Sequence, residues 1–442
     1  MTGILLCAAA FLVAFLAGRR SLASGLSAVL AIGYFYGIVR ANFPDPASHF
    51  IFDAAVLALY LTRLLGARVA ADRQRVRTVT IWTAVLIAWP LVMVFVPLQD
   101  PLVQLVGLRG NIFLLPFLML GARLKADDIG RLALTLAVLN LMAFAFAGAE
   151  YAIGMDRFFP HNFNTELIYR SGDVGAANQL RIPGPFSGAH AYAGTMVMSL
   201  PFLLGAWAAR GTSAAYRVLL IAAMGVAALG IFAAASRVHT IVLATVVIAV
   251  FFSGSISANA RVLLLAALGA LAAIVLSQER LQRFTTLRDT GYVSDRVAGS
   301  VNTSFWELLL QYPFGNGLGG GGTSMPYFLQ DRLRGQVVLE NEYARILLEQ
   351  SSIGLCLWIT FIGWFVTLRF GTTRRDWGLG EHVAWVVCMM YFGTALIGIG
   401  MLTAIPQSAL MFLCIGWVGA KRPAPSPAIT EIYGYAAAAA RA

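Results

Sequence analysis

Charge is the scarcest property of this chain. Of 442 residues only 12% are Asp, Glu, Lys or Arg, against about 25% in a soluble domain, while 59% are hydrophobic and the mean hydropathy is +0.75. A water-soluble fold would leave much of that apolar surface with too few charges to solvate it, so a soluble globular protein is excluded. Lysine is nearly missing: only Lys125 and Lys421 occur, and the other cations are arginines. The four cysteines, Cys7, Cys356, Cys388 and Cys414, lie in apolar segments with no Cys-x-x-Cys spacing and no histidine beside them, which argues against disulfides and zinc alike. No basic stretch precedes the apolar N-terminus MTGILLCAAAFLVAFLAGRR. Its charges follow instead, the reverse of a secretory signal peptide, and this segment is expected to stay as a membrane helix. The net charge of +11 would suggest nucleic acid in a soluble chain. Here it sits in short loops between apolar runs, where it sets orientation, so no nucleic-acid partner is expected.

What is present is a succession of long uncharged runs. Residues 78–96 (TVTIWTAVLIAWPLVMVFV) and 218–236 (VLLIAAMGVAALGIFAAAS) each carry the length that crosses a bilayer core, approximately 20 residues. Comparable stretches at 3–18, 21–39, 50–66, 103–121, 132–150, 190–209, 238–253, 262–277, 346–368, 382–401 and 406–419 predict an all-α polytopic membrane protein with about 12 to 14 transmembrane helices. Arg19 and Arg20, the cluster Arg68, Arg73, Arg75 and Arg77, the GARLKADDIGR loop, Arg210 and Arg217, Arg374 and Arg375, and Lys421 and Arg422 then alternate on one side. By the positive-inside rule that side is cytoplasmic. The organisation that follows is N-terminal membrane helices over 1–150, an outer loop over 151–189, central helices over 190–277, a large, partly helical outer loop over 278–343, C-terminal helices over 344–420, and an Ala- and Pro-rich tail over 421–442 expected to be disordered. No internal repeat is visible, which weakens a transporter built on inverted repeats.

Ionisable residues at the margins of membrane spans are expensive and therefore informative. Arg109 interrupts VQLVGLRGNIFLLPF, with snorkelling to the interface as its structural explanation. Arg181 opens RIPGPFSGAHAYAG, a Gly- and Pro-punctuated turn that places a guanidinium and His190 at the outer mouth of the bundle, unless both are interfacial anchors. Arg237 sits in a two- or three-residue break between apolar runs (AAASRVHTIV), where a tight turn needs no arginine and an anion would. The segment QVVLENEYARILLEQSSIG enters a span carrying Glu340, Glu342, Arg345 and Glu349. At a period of 3.6, Asn341, Arg345 and Glu349 share a face, and a salt-bridged face buried against another helix is the structural alternative. The glycine run PFGNGLGGGG lacks the GK[ST] of a P-loop. Its glycines suit backbone that approaches a ligand, or a mobile loop.

These features, in this order, resemble the bacterial O-antigen ligase and O-antigen or exopolysaccharide polymerase superfamily: an RxxGxF turn opening a span (Arg181, Gly184, Phe186), an SR turn (Ser236, Arg237), an outer loop with PxxxGxG (Pro313, Gly317, Gly319), then NxY followed by Glu and Gly (Asn341, Tyr343, Glu349, Gly354). The resemblance covers residues from about 109 to 364. It implies a GT-C-like membrane glycosyltransferase that takes a glycan from undecaprenyl diphosphate on the periplasmic face of the inner membrane. Ligases of the family carry histidine before that asparagine. Glu340 stands there in this chain, which moves the expectation from ligase, transferring glycan to lipid A-core, towards polymerase.

The implied chemistry asks the protein to hold a diphosphate and to orient an acceptor hydroxyl. Arg181 and Arg237, with Arg109 as an outer candidate, would clamp the diphosphate, because a guanidinium stays charged and binds phosphate oxygens in pairs. No Asp-x-Asp pair marks the outer loops, so neither a metal nor another cofactor is expected. Glu340 would accept the acceptor proton as a weaker base than histidine by roughly two pKa units, and His190, Asn341, Tyr343, Arg296 and Arg345 are the substrate-binding candidates. The competing reading pairs Glu340 with a loop arginine such as Arg296. Direct displacement would invert the anomeric centre. Expected partners are the lipid-linked donor, the acceptor glycan, membrane lipids and a chain-length regulator or another assembly protein. A glycan exporter or lipid-linked glycan flippase would instead place charges in the middle of several spans, and a membrane scaffold would tolerate neutral residues at the outer arginines.

Overall fold

A computed structural model describes residues 1–64, 73–160, 181–209, 211, 213–253, 257–259, 261, 262, 266, 269, 291, 294, 305–322, 325–335, 337, 339, 341–370 and 377–420. The regular elements among them are all helical. They are α1 (Thr2–Arg20), α2 (Leu22–Asn42), α3 (Ile51–Arg63), α4 (Arg73–Met93), α5 (Pro101–Ile112), α6 (Phe117–Ala122), α7 (Ala126–Ile153), α8 (Ala189–Ala208), α9 (Ala214–Ala233), α10 (Arg237–Phe251), α11 (Glu342–Thr367), α12 (Leu379–Thr394) and α13 (Gln407–Gly419), with 3-10 turns at Pro46–Phe50, Met155–Arg157 and Tyr327–Arg332. Among the described residues eight stretches are long and apolar enough to cross a membrane: α1, α2, Val76–Met93 of α4, α5 with α6, α7, α8, α9 and α11. The chain is a multi-pass membrane protein.

The runs expected at 50–66, 238–253, 382–401 and 406–419 form the shorter helices α3, α10, α12 and α13. The run at 103–121 divides into α5 and α6, because residues 113–116 are turns that lead to Pro116, whose missing N–H cannot continue the helix ladder. The expected span 262–277 lies largely outside the described residues, as do the 421–442 tail and the side chains of Arg68, Arg73 and Arg75.

Successive helices run up and down, and a few contacts fix the two ends. The Met1 ammonium meets Asp45 at 3.2 Å, so the start of α1 and the connection from α2 to α3 share one end. At the other end Gly18 packs on Thr62, Arg123 donates to the Arg63 carbonyl at 2.8 Å, and Tyr216 donates to the Gly130 carbonyl at 2.7 Å. Arg19, Arg20, Arg63, Arg123, Lys125, Arg131, Arg217 and Arg369 therefore gather at that second, basic end. The first end carries the loops between α7 and α8 and before α11.

Glycine sets how closely the helices pack. A Cβ at Gly121 would strike the Leu413 carbonyl and one at Gly416 the Leu118 carbonyl, so α6 and α13 touch backbone to backbone. In lipid such van der Waals fit stabilises helix association, since burying leucine gains little there. Trp82, Phe361, Trp364, Phe365 and Phe392 interlock α4, α11 and α12 with ring centroids 5.5–6.5 Å apart. Leu5, Leu12, Leu16, Ile81, Val218, Ile221, Ile248 and Ile359 point outward and stay exposed, a surface that water would not tolerate and acyl chains would.

Candidate functional site

Two polar clusters form at the loop end, one on each side of the C-terminal turn of α12. The first grows from the RIPGPF turn. Gly184 adopts φ +56°, a left-handed turn open to glycine, and its N–H donates to Glu150 Oε2 at 2.9 Å. The Pro185 carbonyl accepts from Ile38 N–H at 3.0 Å, and a Cβ at Gly37 would collide with the Phe186 backbone. The Phe186 ring lies between Tyr34 at 5.1 Å and Tyr192 at 5.3 Å. The turn is thus pinned to α2, α7 and α8, and it delivers Arg181 to the start of α8, where Nη1 meets His190 Nε2 at 2.8 Å.

The α9–α10 connection arrives beside it. Ala235 takes φ +48°, a conformation that costs a non-glycine residue on the order of 1–2 kcal/mol and makes the turn short enough to set Ser236 as the cap of α10 and Arg237 as its first residue. One turn on, His239 is buried, contacts Ser236 Oγ through Nδ1 at 2.6 Å, and lies with its ring 6.1 Å from His190 and 5.8 Å from Tyr391 of α12. Arg181, His190 and the first turn of α10, which carries Arg237, therefore converge. His239 and Glu150 were not among the expected residues. Their signals were a histidine two residues after Arg237 and a lone acid at the end of an apolar run.

The second cluster lies at the start of α11. Asn341 is fully buried and caps the helix, its Oδ1 accepting from the N–H groups of Tyr343 and Ala344 at 2.9 and 3.2 Å. Asparagine in that role satisfies amides that the first helical turn leaves open. Tyr343 donates its hydroxyl to the Phe392 carbonyl at 2.7 Å. Arg345 is 0% exposed; Nη2 and Nε reach Glu342 Oε1 at 2.7 and 3.1 Å, and Nη1 reaches Glu349 Oε2 at 2.7 Å. Asn111 of α5 joins them, donating to Glu349 Oε2 at 2.6 Å and accepting from Gln350 at 2.8 Å. Glu342 Oε2 accepts from Gly400 N–H at 2.7 Å. Asn341, Tyr343 and Arg345, expected against substrate, thus build and fix the helix that enters the site.

Immediately beyond, Ser351 takes φ +62° and ψ −178° inside α11, a region nearly confined to glycine that costs on the order of 1–3 kcal/mol. The break releases two carbonyls from the helix ladder: Leu348 accepts from Asn316 N–H at 2.6 Å and Gln350 from Trp89 Nε1 at 2.7 Å. The glycine run is therefore docked on protein. Gly315, Gly317, Gly319 and Gly322 all have positive φ, a Cβ at Gly107 would overlap the Gly319 backbone, and Gly321 lies against Glu349 and Arg345. Gln99 ties the loop down further, donating to the Asn316 and Arg334 carbonyls at 2.9 Å each.

Arg109 is held elsewhere. It grips Asp53 with both Nε and Nη2, at 2.9 and 2.6 Å, beside His49 and Arg40, which are 3.4 Å apart. Burial first, then the charges of Arg40 and Arg109, push the His49 imidazole down to about 3. Glu340, the expected base, and Arg296 lie outside the described residues. Among the described residues no group of three or more His, Cys, Asp or Glu side chains could hold a metal ion. An apolar groove of about 290 Å³ is lined by Phe305, Tyr343, Leu355, Ile359, Ile362 and Leu396 along α11. No protein-family model matches the chain, and no curated protein matches it.

Proposed function

We propose that this protein is a glycosyltransferase of the inner membrane, GT-C-like in fold, that polymerises polysaccharide by moving glycan from undecaprenyl diphosphate to an acceptor glycan on the periplasmic face. The observation that carries the reading is the meeting of the Arg181 turn with the start of α10 at the end of the bundle opposite the basic loops. By the positive-inside rule that end faces away from the cytoplasm, where a lipid-linked donor would be used. In this reading Arg181 and Arg237 neutralise the diphosphate leaving group, the main electrostatic demand of the transfer. The apolar groove along α11 beside Tyr343 is suited in chemistry to an isoprenoid tail. Glu340 immediately precedes in sequence Asn341, the residue that caps α11.

Reconstitution tests this. Purified protein in liposomes with undecaprenyl-diphosphate-linked repeat units should extend them into polymer, resolved by gel and mass spectrometry, and should do so in EDTA. Arg181→Ala and Arg237→Ala should abolish polymer at normal protein levels, with Arg→Lys rescuing poorly because an ammonium lacks the paired geometry. Full activity of either alanine variant would return that arginine to an anchoring role, and transfer only to lipid A-core would make the protein a ligase.

A further inference from the structure

The polar cluster that anchors α11 is not balanced in charge. Glu342 and Glu349 share the single guanidinium of Arg345, and all three side chains are completely buried. Among the described residues no second cation meets either carboxylate: the other donors are the Gly400 amide on Glu342 and the Asn111 side chain on Glu349, both neutral. One negative charge in excess, buried within a membrane bundle, is expensive. One atom stands out. Both hydrogen bonds to Glu349 go to Oε2, from Arg345 and Asn111, and Oε1 is buried with no partner among the described residues. The wall beside that oxygen is the glycine run. A Cβ at Gly321 would come within 2.9 Å of Glu349 Oε1, so the turn lies against the carboxylate only because glycine stands there. Leu318, Gly320 and Gly321 are buried, and among the described residues none of their carbonyls accepts a hydrogen bond, although buried carbonyls are ordinarily paired. The break at Ser351 adds to the negative potential, because it makes residues 342–350 a short helix whose C-terminal end lies at Glu349.

We propose that Glu349 Oε1 and main-chain carbonyls of the 318–321 turn bind one monovalent metal cation, sodium or potassium, that clamps the glycine run to the first half of α11. Carboxylate and carbonyl oxygens are the donors that hard cations select, and unwound backbone beside the C-terminal end of a broken helix is a recurring sodium site within membranes. The charge fixes the valence. A single positive charge balances the cluster, whereas a divalent ion would leave it positive, and no group of three acidic or imidazole side chains stands here among the described residues to hold one. EDTA would not remove such an ion. The site stands whether or not the protein transfers glycan.

Two measurements on the full chain in detergent micelles test it. The first is thermal unfolding at constant ionic strength, with choline chloride exchanged for sodium or potassium chloride. The native midpoint should rise by about 1–2 °C for each tenfold increase in the preferred cation above half-saturation. Glu349→Gln, which keeps an acceptor for Arg345 and Asn111 and removes the charge and the free oxygen, should lose that dependence. The second is calorimetric titration of sodium or potassium chloride into protein held in choline chloride, which should show one site in the native chain and none in Glu349→Gln. Gly321→Ala keeps every charge and crowds Oε1, so it should weaken the cation by about 10-fold or more; it serves as the second variant where Glu349→Gln does not fold. Midpoints that are equal in all three salts, with no heat of binding, would overturn the proposal. So would a cation response that survives in Glu349→Gln, which would place the site elsewhere, and so would stabilisation by acid in choline chloride with no response to either cation, which would put a proton where the metal is proposed.

Discussion

Replacing Arg345 by leucine removes the one guanidinium that two buried carboxylates share. The side chain is completely buried and contacts Glu342 Oε1 and Glu349 Oε2, each at 2.7 Å at closest. After the substitution Glu342 keeps the Gly400 amide and Glu349 keeps Asn111, both neutral donors. Removing one partner of a buried ion pair costs about 3–5 kcal/mol, a large part of the 5–15 kcal/mol that holds a typical protein folded. Glu349→Gln is the control. Its carbonyl oxygen can take the place of Oε2, and its amide replaces Oε1, an atom with no hydrogen-bond partner among the described residues. That exchange should cost about 1 kcal/mol, the difference between a charged and a neutral acceptor. The triple variant Arg345→Leu, Glu342→Gln, Glu349→Gln should recover at least half of the loss, because no charge is then left buried alone. Reversible unfolding in mixed detergent micelles, followed by tryptophan fluorescence, measures all three. Arg345→Leu within 1 kcal/mol of the native protein, or Glu349→Gln as damaging as Arg345→Leu, would show that this cluster is hydrated or neutral and would remove it as the anchor of α11.

Three further outcomes are expected. The folded state holds His49 near 3 while the unfolded chain titrates near 6.5; the unfolded state therefore binds more protons between those values, and stability should fall with pH by up to about 1.4 kcal/mol per unit from 6.5 towards 3. Melting curves of His49→Gln should lose much of that acid slope, and an unchanged slope would contradict a buried, neutral His49. Arg109→Ala should destabilise the protein by roughly 1–3 kcal/mol through the buried Asp53 it leaves behind, and adding Asp53→Ala should restore both stability and activity; restored stability without activity would put Arg109 back against the donor. Glu340→Gln should lower glycosyl transfer per folded molecule by about 10² to 10⁴ if it is the base, with Glu340→His keeping part of it, whereas normal turnover would leave the site without a base at that position.

Much of the fold is legible because uncharged runs of bilayer length have few other uses in water. The breaks are less so. Pro116 announces the division between α5 and α6, but nothing in the triplet Gln350, Ser351, Ser352 marks the point where α11 leaves helical geometry, since serine has no preference for positive φ. The strain there is set by partners far away in sequence, Asn316 and Trp89, which capture the freed carbonyls. The i,i+4 ion pair from Arg345 to Glu349 is readable from spacing. Asn111 as its third member is not, and neither is Asp53 as the partner of Arg109, because no periodicity links residues 56 apart. The glycine run reads as loose backbone in sequence, yet Gly315 and Gly321 make room for α11 and Gly319 for α5.

The same physics sorts the arginines that sequence alone groups together. A membrane interior makes an unbalanced charge expensive, so an arginine well inside the bundle brings its own carboxylates, as Arg345 does with Glu342 and Glu349, and one nearer the rim brings a single carboxylate, as Arg109 does with Asp53. Only folding reveals how many carboxylates a guanidinium has gathered: Asp53, Glu342 and Glu349 are all acidic residues at span margins until the chain brings each to its arginine.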